Sequence, residues 1–250
     1  MTADDRRAWE IVLAHIEADL LEGRLGPGDR LPGERALAAD LGVGRSSVRE
    51  ALRVLEVLGL IRTAVGSGPS AGAIIVALPG GGMSALMRLQ VAAQGFPVAD
   101  VVKTRLLLEA SVVTELAAAS ARPDLTGPER LLDAMESCRH TEAEFLALDA
   151  QFHLSLAEAS GNQVVSATMA GLRSAIEAYA RAGARSLASW PDTSARLMTE
   201  HRGILAAITA ADPAEARRAV QSHITRYYAE TQLTAGHGDH AADPVGPAGP

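Results

Sequence analysis

The sequence has little cysteine, few aromatic residues and no long apolar run. Cys138 is the single cysteine in 250 residues, which excludes an intramolecular disulfide framework and a zinc site built from paired cysteines. Aromatic side chains make up only 3% of the chain, so helices packed through small and aliphatic side chains are favoured. No run approaches the ~18 apolar residues of a membrane span, and the acidic start is unlike a signal peptide. We therefore expect a mainly α protein of the cytoplasm, with no membrane partner.

Positive charge is also scarce. The formal net charge is −7, so most of the surface should repel the phosphates of nucleic acids. Any DNA binding must therefore be local and depend on geometry. Apolar residues make up 48% of the chain, which is enough for the cores of one large or two ordinary domains.

Two helices joined by a glycine turn are predicted between Leu31 and Thr63. Leu37 and Leu41 mark the apolar side of the first helix, which Gly42 ends. The second helix opens after Gly44, runs to about Leu58 and has an apolar stripe at i, i+3, i+4 and i+7. The stripe consists of Val48, Ala51, Leu52 and Leu55. This arrangement predicts a helix-turn-helix.

Arg45, Arg49 and Arg53 form a separate row on the second helix, displaced from its apolar stripe. An outward arginine row at a helix N-terminus suits the DNA major groove, where arginine can bond guanine and serine can bond a base or phosphate. The alternative is a solvated charged face in which Glu50 and Glu56 neutralise the arginines.

The segment LPGERALAADLGVGRSSVREALRVLEVLGLI resembles the winged-helix domain of the GntR superfamily of bacterial transcription regulators. Gly33 is a departure, because the family usually has serine at this helix N-cap; glycine caps somewhat less well. The resemblance implies DNA contacts from an arginine before the second helix, from the turn and the recognition helix, and from a glycine at the wing tip. These fall at Arg35, Arg45, Ser46, Ser47, Arg49 and Gly66.

Residues from Leu60 to Ala64 and from Ala73 to Ala77 are predicted to form two short strands, the wing of this domain. The intervening tip contains the pattern G-x-S-x-G around Ser70, which in hydrolases presents a nucleophile. That motif needs a strand followed directly by a helix, whereas here the β-branched residues 74–76 follow and predict a second strand. We therefore interpret Ser70 as part of a turn.

A glycine-rich joint divides the chain. The predicted organisation is a winged helix-turn-helix domain at 1–78, a linker at 79–83, an all-α bundle of six or seven helices at 84–234 and a disordered tail at 235–250. The predicted helices of the bundle are about Ser84–Ala93, Val98–Ser120, Gly127–Cys138, Glu142–Ala159, Gln163–Arg181, Asp192–Ala210 and Pro213–Gln232.

Asp149 and His153 lie four residues apart on one predicted helix, and His201 and His223 lie on the apolar sides of two others. A lone histidine in such a place is more often a hydrogen-bonded core residue than a ligand. Several buried titratable groups are costly unless something pairs them, however, and a divalent cation would do so. The pattern favours a metal site and leaves a metal-free bundle as the alternative.

The C-terminal region resembles the FCD effector-binding domain of the FadR branch of the same superfamily, through the segments TRLLLE and LDAQFHLSLAEASGN and the two later histidines. The resemblance implies that Asp149, His153, His201 and His223 bind a divalent transition metal, zinc first, with nickel or manganese as alternatives. It also implies that Arg105 holds a carboxylate effector. Taken without the resemblance, Arg105 could equally form a semi-buried salt bridge, and Glu109 at i+4 is its expected partner.

Together these features predict a homodimeric, effector-responsive repressor that binds palindromic double-stranded operator DNA and is released by a small organic acid. The rival is a metal-dependent hydrolase or isomerase with an accessory DNA-binding domain. Such an enzyme needs a general base beside the metal. Glu200 precedes His201 directly, but neighbouring residues on a helix diverge by about 100°, so Glu200 should not share the ligand face.

Overall fold

The computed structural model describes five stretches of the chain, which are residues 7–64, 72–76, 81–93, 96–137 and 140–231. The chain divides into two compact units, Met1–Leu86 and Met87–Pro250. Four features of the sequence lie outside the described residues: Gly66, Ser70, Cys138 and the predicted tail 235–250. Within the described stretches, none of the helices is long and apolar enough to cross a membrane.

The described part of the first unit contains the predicted helix-turn-helix and hairpin. Its elements are α1 (Ala8–Leu21), α2 (Glu34–Leu41), α3 (Arg45–Val57), β1 (Ile61–Ala64) and β2 (Gly72–Ile75). The strands are antiparallel, with Ile61 opposite Ile75. Both isoleucines are buried, so the hairpin contributes one apolar edge to the core of this unit.

The turn between α2 and α3 depends on glycine. Gly42 has φ 64° and ψ 28°, a left-handed conformation that costs other residues about 1–2 kcal/mol. Gly44 then caps α3 in an extended conformation. The predicted stripe of α3 is buried, with Val48 fully enclosed, and it packs with Val12 and Ile16 of α1. The helix-turn-helix prediction is confirmed.

Helix α4 (Gly81–Ala92) begins about three residues before its predicted start, so residues 81–83 of the predicted linker are helical. Gly82 in this first turn lies close to the end of α3. A Cβ on Gly82 would overlap the backbone of Leu58, so this glycine provides space for packing at the end of α3 rather than flexibility. The two compact units accordingly divide after Leu86, within α4.

The second unit is an all-α bundle. Its helices after α4 are α5 (Val98–Ala118), α6 (Thr126–Ser137), α7 (Glu142–Ala159), α8 (Gln163–Ala184), α9 (Trp190–Thr209) and α10 (Pro213–Glu230). Side chains cap several of them, including Thr141 on α7 and Asn162 on α8. In the described part of the second unit, the helices α5–α10 and the end of α4 agree with the predicted bundle of six or seven helices.

Helix α5 lies at the centre of this bundle, in contact with α7, α8, α9 and α10. The core is aliphatic, with Val113, Ile204 and Val220 fully enclosed. The inner faces of α5, α7, α9 and α10 also bury charged and polar side chains: Arg105, Glu109, Asp149, His153, His201 and His223. The bundle therefore encloses a polar centre within an apolar core.

Two glycine-to-alanine changes should have opposite effects on stability. Gly42→Ala should destabilise the first unit by about 1–2 kcal/mol, because alanine must adopt the left-handed conformation. Gly203→Ala should stabilise the second unit by about 0.5–1 kcal/mol, because Gly203 is an exposed residue within α9 and its Cβ would meet nothing within 4 Å. Calorimetric unfolding of both variants measures the shifts, and shifts of the same sign would contradict the assignment.

Candidate metal centre and recognition helix

The arginine row of α3 lies on the surface. The side chains of Arg45 and Arg49 are 62% and 53% exposed, and Arg53 is also exposed. These arginines lie away from the buried stripe, as predicted from their spacing. Among the other predicted DNA contacts, Arg35 and Ser46 are exposed and Ser47 is half-buried.

The glutamate that meets the arginines is Glu34 at the start of α2. Its Oε2 lies 3.3 Å from Nη2 of Arg49 and 4.0 Å from Nη2 of Arg45. Glu56 was one of two glutamates that could have neutralised the arginine row. It instead accepts a hydrogen bond from the backbone N–H of Thr63 at 3.0 Å. An exposed ion pair of this kind contributes at most about 1 kcal/mol and is screened by salt. A phosphate can therefore replace Glu34 at low cost.

The four predicted metal ligands converge inside the bundle. Asp149 and His153 extend from α7, His201 from α9 and His223 from α10. None is more than 6% exposed, and one ligand atom from each lies within 4.8 Å of the others. Helical i, i+4 spacing places the two α7 residues on one face, and packing of α9 and α10 brings the remaining histidines to it.

The contacts within the cluster are short. Nε2 of His201 lies 3.0 Å from Oδ1 of Asp149, and Nε2 of His153 lies 3.1 Å from Nε2 of His223. The ring of Phe152 packs against His201, with centroids 4.7 Å apart. The donors therefore meet in a small volume bounded by apolar side chains.

Two glutamates contact the outer nitrogens of this cluster. Oε2 of Glu109 lies 2.5 Å from Nδ1 of His153, and Oε2 of Glu200 lies 2.9 Å from Nδ1 of His223. The sequence predicted that Glu200 would not share the ligand face, and Glu200 indeed approaches from outside. Its contact with His223 depends on the packing of α9 against α10, which no local spacing reveals.

The predicted pairing of Arg105 with Glu109 is present but deeper than expected. Nε of Arg105 lies 2.5 Å from Oε1 of Glu109, and both side chains are less than 5% exposed. The salt bridge expected as the alternative to an effector contact is therefore present, but it is fully buried rather than semi-buried, since α5 contacts other helices on several sides. Nη2 of Arg105 has no hydrogen-bond partner among the described residues.

Burial and charge fix the protonation states of Asp149, His201 and His223. Burial lowers the pKa of His201 and lowers that of His223 to about 3. Burial alone would raise the pKa of Asp149, but its contact with His201 holds the pKa below its ordinary value. These two imidazoles are therefore neutral and the carboxylate ionised near neutral pH, which are the forms that bind metal ions.

The donor set fits a divalent transition metal. Three imidazoles and one carboxylate are ligands of the kind that zinc, nickel and manganese accept. Nδ1 of His201 and Nη2 of Arg105 have no hydrogen-bond partners within the described part of the chain, and an unpaired buried polar group costs about 1–3 kcal/mol. The cluster could hold a metal ion.

Two family models match most of the chain. The one described as the FCD domain matches residues 100–226, and the one described as bacterial regulatory proteins, gntR family, matches residues 10–69. A relative described as HTH-type transcriptional repressor NanR, from Klebsiella aerogenes, is 34% identical over 225 residues, covering 88% of this chain and 83% of the relative. This chain belongs to the GntR family.

Further comparisons agree with this membership. A NanR repressor from Escherichia coli strain K12 is 32% identical over 232 residues, covering 88% of this GntR-family chain and 82% of the relative. The solved structure described as Streptococcus agalactiae GntR has a TM-score of 0.56 and 26% identity, covering 88% of this chain and 98% of its own.

Family membership assigns a role to each unit. This GntR-family protein is a FadR-like transcription regulator that binds DNA and has a C-terminal effector domain. The FCD match includes Arg105 and all members of the histidine and aspartate cluster. The rival reading as a metal-dependent hydrolase or isomerase is not supported, because the relatives are named as repressors.

Glu34→Gln and Arg49→Ala should change DNA binding in opposite directions. Loss of the Glu34 charge frees Arg45 and Arg49 for phosphates, so affinity for any duplex should rise about two- to fivefold.

Arg49→Ala should remove sequence-specific binding while the fold is kept. Fluorescence anisotropy with specific and unrelated duplexes measures both effects.

Glu17→Gln is the matched control, because Glu17 is exposed on α1 and its change removes the same net charge. An equal gain in affinity for Glu17→Gln and Glu34→Gln would show that the ion pair with the arginines has no specific role.

Proposed function

We propose that this regulator is a repressor that leaves its operator when a small organic acid binds beside a metal ion in the C-terminal domain. The observation that carries this proposal is the buried cluster of Asp149, His153, His201 and His223, next to a buried arginine with an unpaired Nη2. Supporting evidence for repression is that the relatives are described as transcriptional repressors.

The metal ion would be held by the carboxylate of Asp149 and one imidazole nitrogen from each of the three histidines. Zinc is our first choice, with nickel or manganese as alternatives, because imidazole and carboxylate suit all three ions. When bound, the ion supplies positive charge to which a carboxylate can bind directly. Effector binding is then charge-assisted in a site shielded from water.

Arg105 would hold a second part of the same effector. Its Nε is occupied by Glu109, while Nη2 has no partner in the described part of the bundle. A guanidinium donor can bond a carboxylate oxygen strongly in an apolar interior. Because Nε and Nη2 are separate donors, Arg105 would bind the effector through Nη2 while Nε keeps its contact with Glu109.

DNA would be read by a homodimer. In each protomer, Arg45 and Arg49 would enter the major groove of one half of a palindromic operator. Arg35, Ser46 and Ser47 would contact bases or phosphates beside them, and Gly66, outside the described residues, would contact DNA at the wing tip. The exposure of the α3 arginines supports this arrangement. We propose domain limits of 1–78 and 84–234 for the DNA-binding and effector domains.

Release requires that the effector bind one arrangement of the DNA-binding domains better than another. A ligand shifts an equilibrium only by the difference between its affinities for the two states. DNA and effector must therefore weaken each other's binding by the same factor. That reciprocity is measurable with either ligand as the probe.

The double variant His153→Ala/His223→Ala should lose bound metal and the response to carboxylic acids. Two of the four donors are removed, and they come from different helices. Plasma mass spectrometry of protein purified without a histidine tag gives the metal content, and anisotropy with operator DNA gives the response. His15→Ala is the control, since His15 lies on α1 in the other unit. Unchanged metal content in the double variant would contradict the proposed site.

Arg105→Lys should weaken effector binding at least tenfold and change metal affinity less than that. Lysine can keep a cation beside Glu109 but cannot also present the second, unpaired donor of the guanidinium. The measurement is titration of metal-loaded protein with a panel of hydroxy acids, sugar acids and dicarboxylates, followed by thermal shift. Equal losses of metal and effector binding would remove the separate role proposed for Arg105.

A further inference from the structure

Two sets of Arg, Glu and His side chains contact the cluster, one from α5 and one from α9. In the first, Arg105 contacts Glu109 and Glu109 contacts Nδ1 of His153. In the second, Nη1 of Arg196 lies 2.7 Å from Oε1 of Glu200, and Oε2 of Glu200 contacts Nδ1 of His223. Each arginine and its glutamate are four residues apart on one helix. The same arrangement therefore occurs once on α5 and once on α9.

A carboxylate at Nδ1 determines which ring nitrogen carries the proton. In a neutral imidazole one nitrogen donates and the other accepts. Because a carboxylate only accepts, the hydrogen bond of Glu200 with His223 and the 2.5 Å contact of Glu109 with His153 both place the proton on Nδ1, and in a neutral ring Nε2 then keeps a lone pair. The contacts of Glu109 and Glu200 thus assign the same tautomer to His153 and His223.

This assignment makes the contact between the two histidines unfavourable without a cation. Their Nε2 atoms lie 3.1 Å apart, and under the assigned tautomers neither has a proton to donate to the other. Two lone pairs at this distance repel each other in an apolar surrounding. Ordinary core histidines would instead share one N–H between them. The arrangement is typical of two ligands of one ion.

We propose that Glu109 and Glu200 are positioning residues of the metal centre, which hold Nδ1–H of His153 and His223 so that both Nε2 atoms bind the ion. This inference rests on the proposed metal-dependent function and goes beyond it, because it assigns roles to two residues that are not ligands. Outer carboxylates of this kind orient the ring and raise its basicity.

The arginines explain how the glutamates can be buried. A buried carboxylate is costly unless it is paired, and Arg105 and Arg196 supply the opposite charge. Glu109 is 4% exposed and Glu200 20% exposed at the side chain. Because the first set is in the more apolar surroundings, its interactions are less screened. We therefore expect Glu109 to have the larger effect on the ion.

His201 provides an internal contrast. Its Nε2 lies 3.0 Å from Oδ1 of Asp149, but among the described residues no carboxylate contacts its Nδ1, whereas Nδ1 of His153 lies 2.5 Å from Glu109. Only two of the three histidines are thus oriented from outside. The bonds of these two to the ion should be the more rigid ones, and the third ligand should be the easier to displace.

The test compares Glu109→Gln, Glu200→Gln and the control Glu115→Gln, which alters an exposed residue on α5. Zinc affinity is measured by competition with a chelator in the full-length protein. Loss of either positioning glutamate should weaken zinc binding about 10- to 100-fold, with the larger loss for Glu109→Gln. The control should bind zinc like the wild type.

Cobalt substitution gives a second readout, the solvent exchange of individual histidine protons, which distinguishes the loss of one contact from a general loss of stability. The Nδ1–H protons of bound histidines give shifted proton resonances in the cobalt protein, and each variant should increase the solvent exchange of one such proton only. If Glu109→Gln does not fold, Glu200→Gln still provides the test at its less buried position.

The outcomes separate this inference from the proposed function. Wild-type protein that binds zinc, with both variants equal to it in affinity and proton exchange, would overturn the positioning role alone. Wild-type protein that binds neither zinc nor cobalt would overturn the proposed metal centre and this inference with it. Weaker binding in the two variants, with an unchanged control, would support the assignment.

Discussion

The free-energy cost of burying charge determines the organisation of the C-terminal bundle. Asp149, His201 and His223 are enclosed by aliphatic helices, where an uncompensated ionised group would cost several kcal/mol. A buried group that pairs with another must itself be paired. Glu109 contacts His153 and is buried with it, and Arg105 is buried in turn because it pairs with Glu109. Among the described residues, Nη2 of Arg105, Nδ1 of His201 and the hydroxyl of Tyr228 are buried atoms that have no hydrogen bond.

The two units use ion pairs in opposite ways. Glu34 and Arg49 form an exposed pair, which is weak and can be exchanged for a phosphate. Arg105 and Glu109 form a buried pair, which cannot lose one partner without leaving an unpaired charge. In the proposed function, DNA would be read by groups that can change partners, whereas the effector would be bound beside groups whose pairing is fixed.

Sequence patterns predicted features that depend on spacing within one helix. The stripe of α3, its outward arginines and the pairing of Arg105 with Glu109 all follow from the helical repeat. The histidine cluster was predicted as a set because three helices each place a polar residue on an apolar face. Features that depend on packing between elements were not predictable in this way. The contacts of Glu34 with Arg49, of Glu200 with His223 and of Gly82 with Leu58 each join two elements whose relative placement has no local signature.

The spacing of Arg105 and Glu109 has a mechanical consequence. The two residues lie one turn apart on the same face of α5, so a rotation of this helix about its axis moves both side chains in the same direction. The support of His153 and the unpaired guanidinium donor cannot then be changed separately. Because α5 also contacts α7, α8, α9 and α10, a small rotation would be transmitted to most of the bundle. Rotation of α5 would therefore change the support of His153 and the contacts of this helix with its neighbours together.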